Sequence, residues 1–137
     1  MKQVIDASIM LGWHFEDERT EAVDLVLDQV TEDGAIVPVL WGLEVANGFR
    51  TAIRKKRVNL EFRDEALRAL SKLPISPDPE TGTRAWTETL ALADRFDLTP
   101  YDAAYLELAR RRALPLATLD RNLRVVAQAL GVTLRGA

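Results

Sequence analysis

The sequence predicts an α/β fold: a short parallel sheet of about four or five strands lies between two layers formed by about seven helices. Short apolar runs alternate along the chain with longer segments whose apolar residues recur at helical spacing. Strands joined by helical crossovers form parallel sheets that are covered on both faces. The 137 residues, 47% of them apolar, are enough for one core, so we expect residues 1–137 to form a single domain.

The first half of the chain alternates strand and helix. Apolar residues at i, i+3, i+4 and i+7 from Val23 predict a helix, with Thr20 as its N-cap and Gly34 beyond its end. The predicted elements are a strand at 2–6, a brief helix or turn at 7–12, a helix at about 20–31, a strand at 35–37 and a long helix from Pro38 to about Lys56.

The second half continues the alternation. Asn59 is the expected N-cap of a helix, and Thr99 with Pro100 marks the start of another. Two buried stripes are predicted, one with Trp86, Leu90 and Ala93 and one with Tyr101, Ala104, Tyr105 and Leu108. The other predicted elements are an edge strand at 74–76, a helix at about 80–95, a strand at 115–118, a helix from Arg121 to Gly131 and a strand at 132–134.

Composition excludes several classes of protein. The chain has no cysteine, which rules out disulfides, iron–sulfur clusters and thiol nucleophiles. His14 is the only histidine, so a zinc site is not expected. No apolar run is long enough to span a membrane, and the N-terminus lacks the features of a signal peptide, so we expect a cytoplasmic protein without membrane contacts.

Three aspartates stand where carboxylates of a parallel α/β sheet would meet. Asp6 follows the first strand, Asp120 follows the strand at 115–118, and Asp102 lies in the first turn of a helix. Ligands of such sheets bind at the carboxyl ends of the strands. Each aspartate also has a purely structural explanation as a helix cap or as a first-turn acid that the helix dipole favours.

Glu44 is the fourth candidate, and the sequence places it inside the helix that starts at Pro38. Leu40, Leu43 and Ala46 are predicted to line one side of that apolar helix, and Phe49 and Ile53 extend it. A buried carboxylate needs a partner or a proton, so we expect Glu44 to join the aspartates unless it faces an exposed stripe. Clustered carboxylates without histidine or cysteine indicate Mg²⁺ or Mn²⁺, and with it phosphate chemistry.

The motifs that carry these acids resemble those of PIN-domain ribonucleases, and the length is similar to that of VapC-like toxins of type II toxin–antitoxin pairs. They are Val4-Ile-Asp6-Ala-Ser8, Glu44-Val-Ala-Asn47, Thr99-Pro-Tyr-Asp102-Ala-Ala and Ala117-Thr-Leu-Asp120-Arg-Asn122. The resemblance implies a PIN-like three-layer fold and a Mg²⁺- or Mn²⁺-dependent endoribonuclease. It also implies a homodimer and inhibition by a VapB-like antitoxin.

The resemblance also implies roles for particular residues. Asp6, Glu44, Asp102 and Asp120 would be the catalytic and metal-binding acids, supported by Ser8, Asn47, Thr118 and Asn122. Many relatives carry an acid at the position of Asn122, so a second metal ion is not implied. A basic block on the long helix, consisting of Arg50, Arg54, Lys55 and Arg57, is expected to contact the RNA backbone.

Two other functions fit parts of the pattern. A phosphoacceptor receiver domain also gathers acids at the carboxyl edge of a parallel sheet, but it needs a lysine beside a late strand. The only lysines are Lys2, Lys55, Lys56 and Lys72, none of them there. A non-catalytic protein-binding module could instead hold a partner through the acidic pocket.

Overall fold

The computed structural model describes all 137 residues and confirms the α/β class. Its centre is one parallel five-stranded sheet with the order β3-β2-β1-β4-β5. The strands are β1 (Gln3–Ile5), β2 (Ala35–Val37), β3 (Ile75–Pro77), β4 (Leu116–Ala117) and β5 (Leu134–Arg135). The chain crosses from one side of β1 to the other before β4. The cleft between the ends of β1 and β4 is therefore where such sheets bind ligands.

Seven helical segments cover the sheet, as predicted, when α5 and α6 are counted as one helix joined by the π-helical residues Ala85–Thr89. A 3₁₀ turn occupies Glu16–Glu18. The helices are α1 (Ala7–His14), α2 (Glu21–Asp33), α3 (Trp41–Arg54), α4 (Leu60–Ser71), α5 (Thr81–Arg84), α6 (Leu90–Phe96), α7 (Pro100–Arg112) and α8 (Arg121–Ala129). The predicted caps Thr20, Asn59 and Thr99 each accept a hydrogen bond from a backbone N–H of the first turn.

Two hydrophobic cores flank the sheet and establish the three layers. Neighbouring strand residues point to opposite faces, so Ile5 enters one core and Val4 the other. The first core packs α1 to α4 against the sheet, and the second packs α6 to α8 against its other face. The sheet thereby holds the first turns of α1 and α8, which directly follow β1 and β4, at a common edge.

The long helix begins later than predicted. The carbonyl of Pro38 accepts a hydrogen bond from the N–H of Trp41 at 3.0 Å, so residues 38–40 form a turn and α3 starts at Trp41. The predicted apolar side is wrong at two positions, because Leu43 is 77% exposed and Ala46 is exposed, whereas Phe49 is buried as predicted. The buried residues of α3 are Val45, Phe49 and Ala52, which face the first core.

Two aromatic residues predicted for the core, Trp86 and Tyr101, lie at the surface together with Leu90. Trp86 is 89% exposed and Leu90 is 41% exposed, because the π-helical segment rotates these side chains away from the stripe that regular helical spacing predicts. Tyr101 is 63% exposed although Ala104, Tyr105 and Leu108 of the same helix are buried. Tyr101 is the second residue of α7, ahead of the buried run that starts at Ala103.

Candidate active site

A pocket of about 510 Å³ opens at the carboxyl edge of the sheet, where β1 and β4 end. Residues of α1, α3 and α7 form its walls, and Asp120 stands at the start of α8. The four carboxylates singled out in the sequence all line it: Asp6, Glu44, Asp102 and Asp120. The fold thus brings together four acids that are far apart along the chain.

Asp6 is the most enclosed of the four, with 7% of its surface exposed. Its carboxylate caps α1 by accepting a hydrogen bond from the Ser8 N–H at 3.0 Å, and it also accepts bonds from the hydroxyls of Ser8 and Thr118, the latter at 2.6 Å. Burial raises the pKa of Asp6 to about 6, although the Ser8 and Thr118 hydrogen bonds oppose this; the charge of Asp120 adds a small increase. The Asp6 side chain therefore both caps α1 and lines the pocket.

Hydroxyl groups join the ends of β1 and β4 around Asp6. Ser8 Oγ accepts a bond from the N–H of Leu119 at 2.9 Å, and Thr118 Oγ1 accepts one from the N–H of Asp120 at 3.0 Å. Arg124, which sequence reasoning missed, donates from its guanidinium to the Thr118 carbonyl at 2.7 Å and to the Arg135 carbonyl at 3.0 Å. Arg124 thus fixes the strand end from which Thr118 reaches Asp6.

Glu44 occupies a different position on its helix from the one predicted. Because α3 starts at Trp41, Glu44 lies in the first turn, where the helix dipole favours an acid, and it is half-buried. Its partner is Tyr105, a buried residue of α7 whose hydroxyl donates a hydrogen bond to Glu44 Oε1. Burial raises the pKa of Glu44, the Tyr105 hydrogen bond lowers it in part, and the charge of Asp102 raises it further.

Asp102 and Asp120 complete the acidic lining from two helix starts. Burial and the nearby charge of Asp120 raise the pKa of Asp102, while a hydrogen bond from Thr99 opposes the shift. Asp120 is exposed and caps α8, because its Oδ1 accepts a bond from the Leu123 N–H at 2.9 Å. Asp102 is therefore both a first-turn acid of α7 and a pocket residue, and Asp120 both caps α8 and lines the pocket.

The two asparagines singled out in the sequence differ in position. Asn47 lines the pocket one helical turn beyond Glu44. Asn122 is exposed on the first turn of α8 and does not line the pocket.

None of the four basic residues expected at the RNA backbone lines the pocket. Arg57 is held away from it by an ion pair with Asp17 at 3.1 Å and by stacking on the ring of Phe15 at 4.5 Å. The other three are exposed on the second half of α3 or just after it: Arg50, Arg54 and Lys55.

The donor set of the pocket fits a divalent cation, but the side-chain arrangement is not that of a closed metal site. All candidate ligands are carboxylate oxygens, the donors that Mg²⁺ and Mn²⁺ prefer. No lysine or arginine lines the pocket to balance their charge. No group of three acidic or histidine side chains, however, is arranged to hold an ion. The carboxylates of Asp6, Glu44 and Asp120 also accept hydrogen bonds from protein donors, which fix their directions in the pocket.

An acid-lined pocket at the carboxyl edge of a three-layer parallel α/β fold is the arrangement that the sequence motifs implied. Residues 4–129 match the PIN domain, and the chain therefore belongs to the PIN-domain family. The resemblance drawn from the motifs is confirmed.

Two known proteins resemble the chain along most of its length. It is 29% identical over 123 residues to Ribonuclease VapC3 of Pyrobaculum aerophilum, a match that covers 90% of this chain and 92% of the relative. The crystal structure of PAE2754 from Pyrobaculum aerophilum superposes with a TM-score of 0.68 at 26% identity, over 98% of this chain and 90% of that one. The similarity to a VapC ribonuclease thus extends along nearly the whole chain. Separately, none of the helices has the length and apolar character needed to cross a membrane.

Proposed function

We propose that this protein is a Mg²⁺- or Mn²⁺-dependent endoribonuclease that hydrolyses RNA phosphodiester bonds, with Asp6, Glu44, Asp102 and Asp120 as its catalytic acids. The observation that carries the proposal is the convergence of these four carboxylates on one pocket without a basic residue among its lining. RNA as the substrate is supported by the similarity to Ribonuclease VapC3.

The cation would be held by some or all of the four carboxylates. When bound, it would polarise the phosphodiester and lower the pKa of the attacking water. The residues of this chain prepare the site: Ser8 and Thr118 fix the direction of the Asp6 carboxylate, and Tyr105 holds Glu44 between α3 and α7. Raised pKa values at Asp6, Glu44 and Asp102 mean that the empty pocket disfavours negative charge, which a cation would relieve.

A biological setting is proposed on the strength of the same similarity. We propose that the protein is the toxin of a VapBC-type pair in the cytoplasm, that it forms a homodimer, and that a VapB-like antitoxin inhibits it. Support comes from the near full-length match to Ribonuclease VapC3. Copurification with the product of a neighbouring small open reading frame tests the antitoxin, and the mass of the complex tests the homodimer.

We also propose that the basic residues in the second half of α3 and just after it contact the RNA backbone, and Arg57 differs from the other three. Arg50, Arg54 and Lys55 are exposed, whereas Arg57 would first have to leave its ion pair with Asp17. Charge reversal at Arg54 should weaken RNA binding at low salt and reduce the salt dependence of the affinity. An unchanged salt dependence would remove Arg54 from the binding surface.

A cleavage assay with matched variants tests the nuclease assignment. Purified protein should cut single-stranded RNA with Mn²⁺ or Mg²⁺ present, and chelation should stop the reaction. Asp6→Asn should lose nearly all activity, while Asp28→Asn, which alters an exposed acid of α2, should retain it. Equal cleavage by the wild type and Asp6→Asn would identify a contaminant and favour a non-catalytic binding module.

A further inference from the structure

The pocket has an apolar wall that the acids do not explain. Tyr101 and Leu43 both line it, yet they are 63% and 77% exposed. They project from two different helices, α7 and α3, beside Asp102 and Glu44 respectively. Large apolar side chains that are exposed together at a pocket mark a surface used in binding.

The Tyr101 ring is not part of the packed interior of the fold. Tyr101 belongs to neither hydrophobic core, not even among the partly buried side chains that pack against them. Its neighbour Asp102 turns inward and lines the same pocket. Consecutive Cα atoms are about 3.8 Å apart. The Tyr101 side chain therefore begins next to Asp102, whose carboxylate would contact a phosphate through the proposed cation. Few other groups of a protein suit a flat apolar ligand as well as an exposed phenol ring.

We propose that Tyr101 stacks on the nucleobase adjoining the scissile phosphate, with Leu43 contacting the same base or its neighbour from the opposite helix. The inference rests on the proposed ribonuclease function and adds a specificity-determining residue to it. A nucleotide carries the two chemistries that the pocket presents, a phosphate for the acidic floor and a flat base for the apolar wall.

The charge of the pocket limits where RNA affinity can come from at this site. No lysine or arginine lines the pocket, so the RNA backbone gains no direct ion pair there. Affinity near the cut must then come from the cation and from contacts with the bases. Base stacking on an aromatic side chain contributes enough that an alanine substitution weakens binding by about 5- to 150-fold.

The test compares Tyr101→Ala, Tyr101→Phe and Trp86→Ala, the last being a control at an exposed aromatic outside the pocket. Binding is measured with all four acids intact and with Ca²⁺ in place of Mg²⁺, using short single-stranded RNA that carries 2-aminopurine and is recovered uncut. Stacking on an aromatic ring quenches the probe. Cleavage kinetics are measured in the wild-type background, and circular dichroism confirms that each variant is folded.

The expected result is that Tyr101→Ala weakens binding at least fivefold, loses the quenching and raises KM more than it lowers kcat. Tyr101→Phe and Trp86→Ala should behave like the parent protein. Unchanged affinity and quenching in Tyr101→Ala would overturn the stacking proposal, as would a change confined to self-association, which would make the wall a protein contact.

The two proposals fail in different ways. If RNA is cut in an Asp6-dependent manner while Tyr101→Ala binds normally, only the stacking inference falls. If no RNA is cut but the probe is quenched through Tyr101, the nuclease assignment falls; Tyr101 is then a base-stacking residue of an RNA-binding site, and its place beside a scissile phosphate is overturned. An absence of both cleavage and binding overturns both.

Discussion

Replacement of Asp6 by asparagine should stabilise the protein at neutral pH while it abolishes cleavage. The pKa of Asp6 is raised from 3.8 to about 6 in the folded chain, mainly by burial. Since one pKa unit corresponds to about 1.4 kcal/mol, keeping this carboxylate ionised at pH 7 costs the folded state about 3 kcal/mol. Asparagine removes the charge and retains an oxygen that can accept the Ser8 hydrogen bonds.

The sign of the effect is set by which state binds more protons. Between pH 4 and pH 6 the folded state holds a proton on Asp6 that the unfolded chain has released, so wild-type stability falls as pH rises through this window. Asp6→Asn lacks this loss. We expect it to exceed the wild type by about 1–3 kcal/mol at pH 7, or roughly 3–10 °C in Tm, and to show little advantage at pH 4.

Thermal or urea unfolding from pH 4 to pH 7 in chelator measures this difference, with Asp28→Asn as the exposed control. Addition of Mg²⁺ should then favour the wild type, by about 2.7 kcal/mol at a hundredfold excess over Kd, because only the intact site binds the ion well. If Asp6→Asn is no more stable than the wild type at pH 7, or if the gap does not change with pH, the argument from burial of the charge is wrong.

Three further outcomes follow from the described contacts. Tyr105→Phe removes the hydrogen bond to Glu44 and should destabilise the protein by about 1 kcal/mol and shift Mn²⁺ binding to higher pH; an unchanged pH profile would contradict the positioning role. Arg111→Met leaves the buried Asp78, which Arg111 contacts at 2.6 Å, without its partner, so chemical unfolding should show a loss of about 3–5 kcal/mol in the free energy of unfolding. The exposed control Arg110→Met should lose little, and similar losses in the two variants would refute the reasoning. Mn²⁺ affinity measured by calorimetry should fall below about pH 6, since protons compete for the carboxylates, and constant affinity from pH 5 to 8 would contradict this.

Local signals in the sequence were sufficient for most of the fold. Capping residues such as Thr20 and Asn59 fixed helix starts to the residue, because a side-chain oxygen before an amphipathic run has one dominant use. The five strands and their parallel arrangement followed from the alternation with helices. The ends of the short strands were predicted less well, because the last strand was expected at 132–134 and lies at Leu134–Arg135.

Faces of helices were predicted less well where local geometry departs from a regular helix. The turn at 38–40 delayed α3 and put Glu44 in its first turn, and the π-helical residues near Trp86 changed which side chains face inward. Sequence spacing assumes an uninterrupted helix and cannot register either event. Exposed Tyr101 was missed because an aromatic at helical spacing usually belongs to a core.

The candidate site shows the same division between local and non-local information. The three aspartates were found because each follows a strand or begins a helix at the edge where ligands bind, and Glu44 was found because a carboxylate within an apolar helix needs a partner. Their partners are different: Tyr105 reaches Glu44 across 61 positions, and Arg124 acts on a backbone carbonyl, which has no sequence signature.

The guanidinium of Arg124 couples the order of the pocket to the outermost strand of the sheet. It joins the carbonyls of Thr118 and Arg135, and the Thr118 N–H also bonds to Arg135 at 3.3 Å. Strand β5 is only two residues long, so its detachment from the sheet should need little free energy. Each such opening would free the segment that aims the Thr118 hydroxyl at Asp6, and amide exchange at Thr118 would thus report how often the acidic pocket loses its alignment.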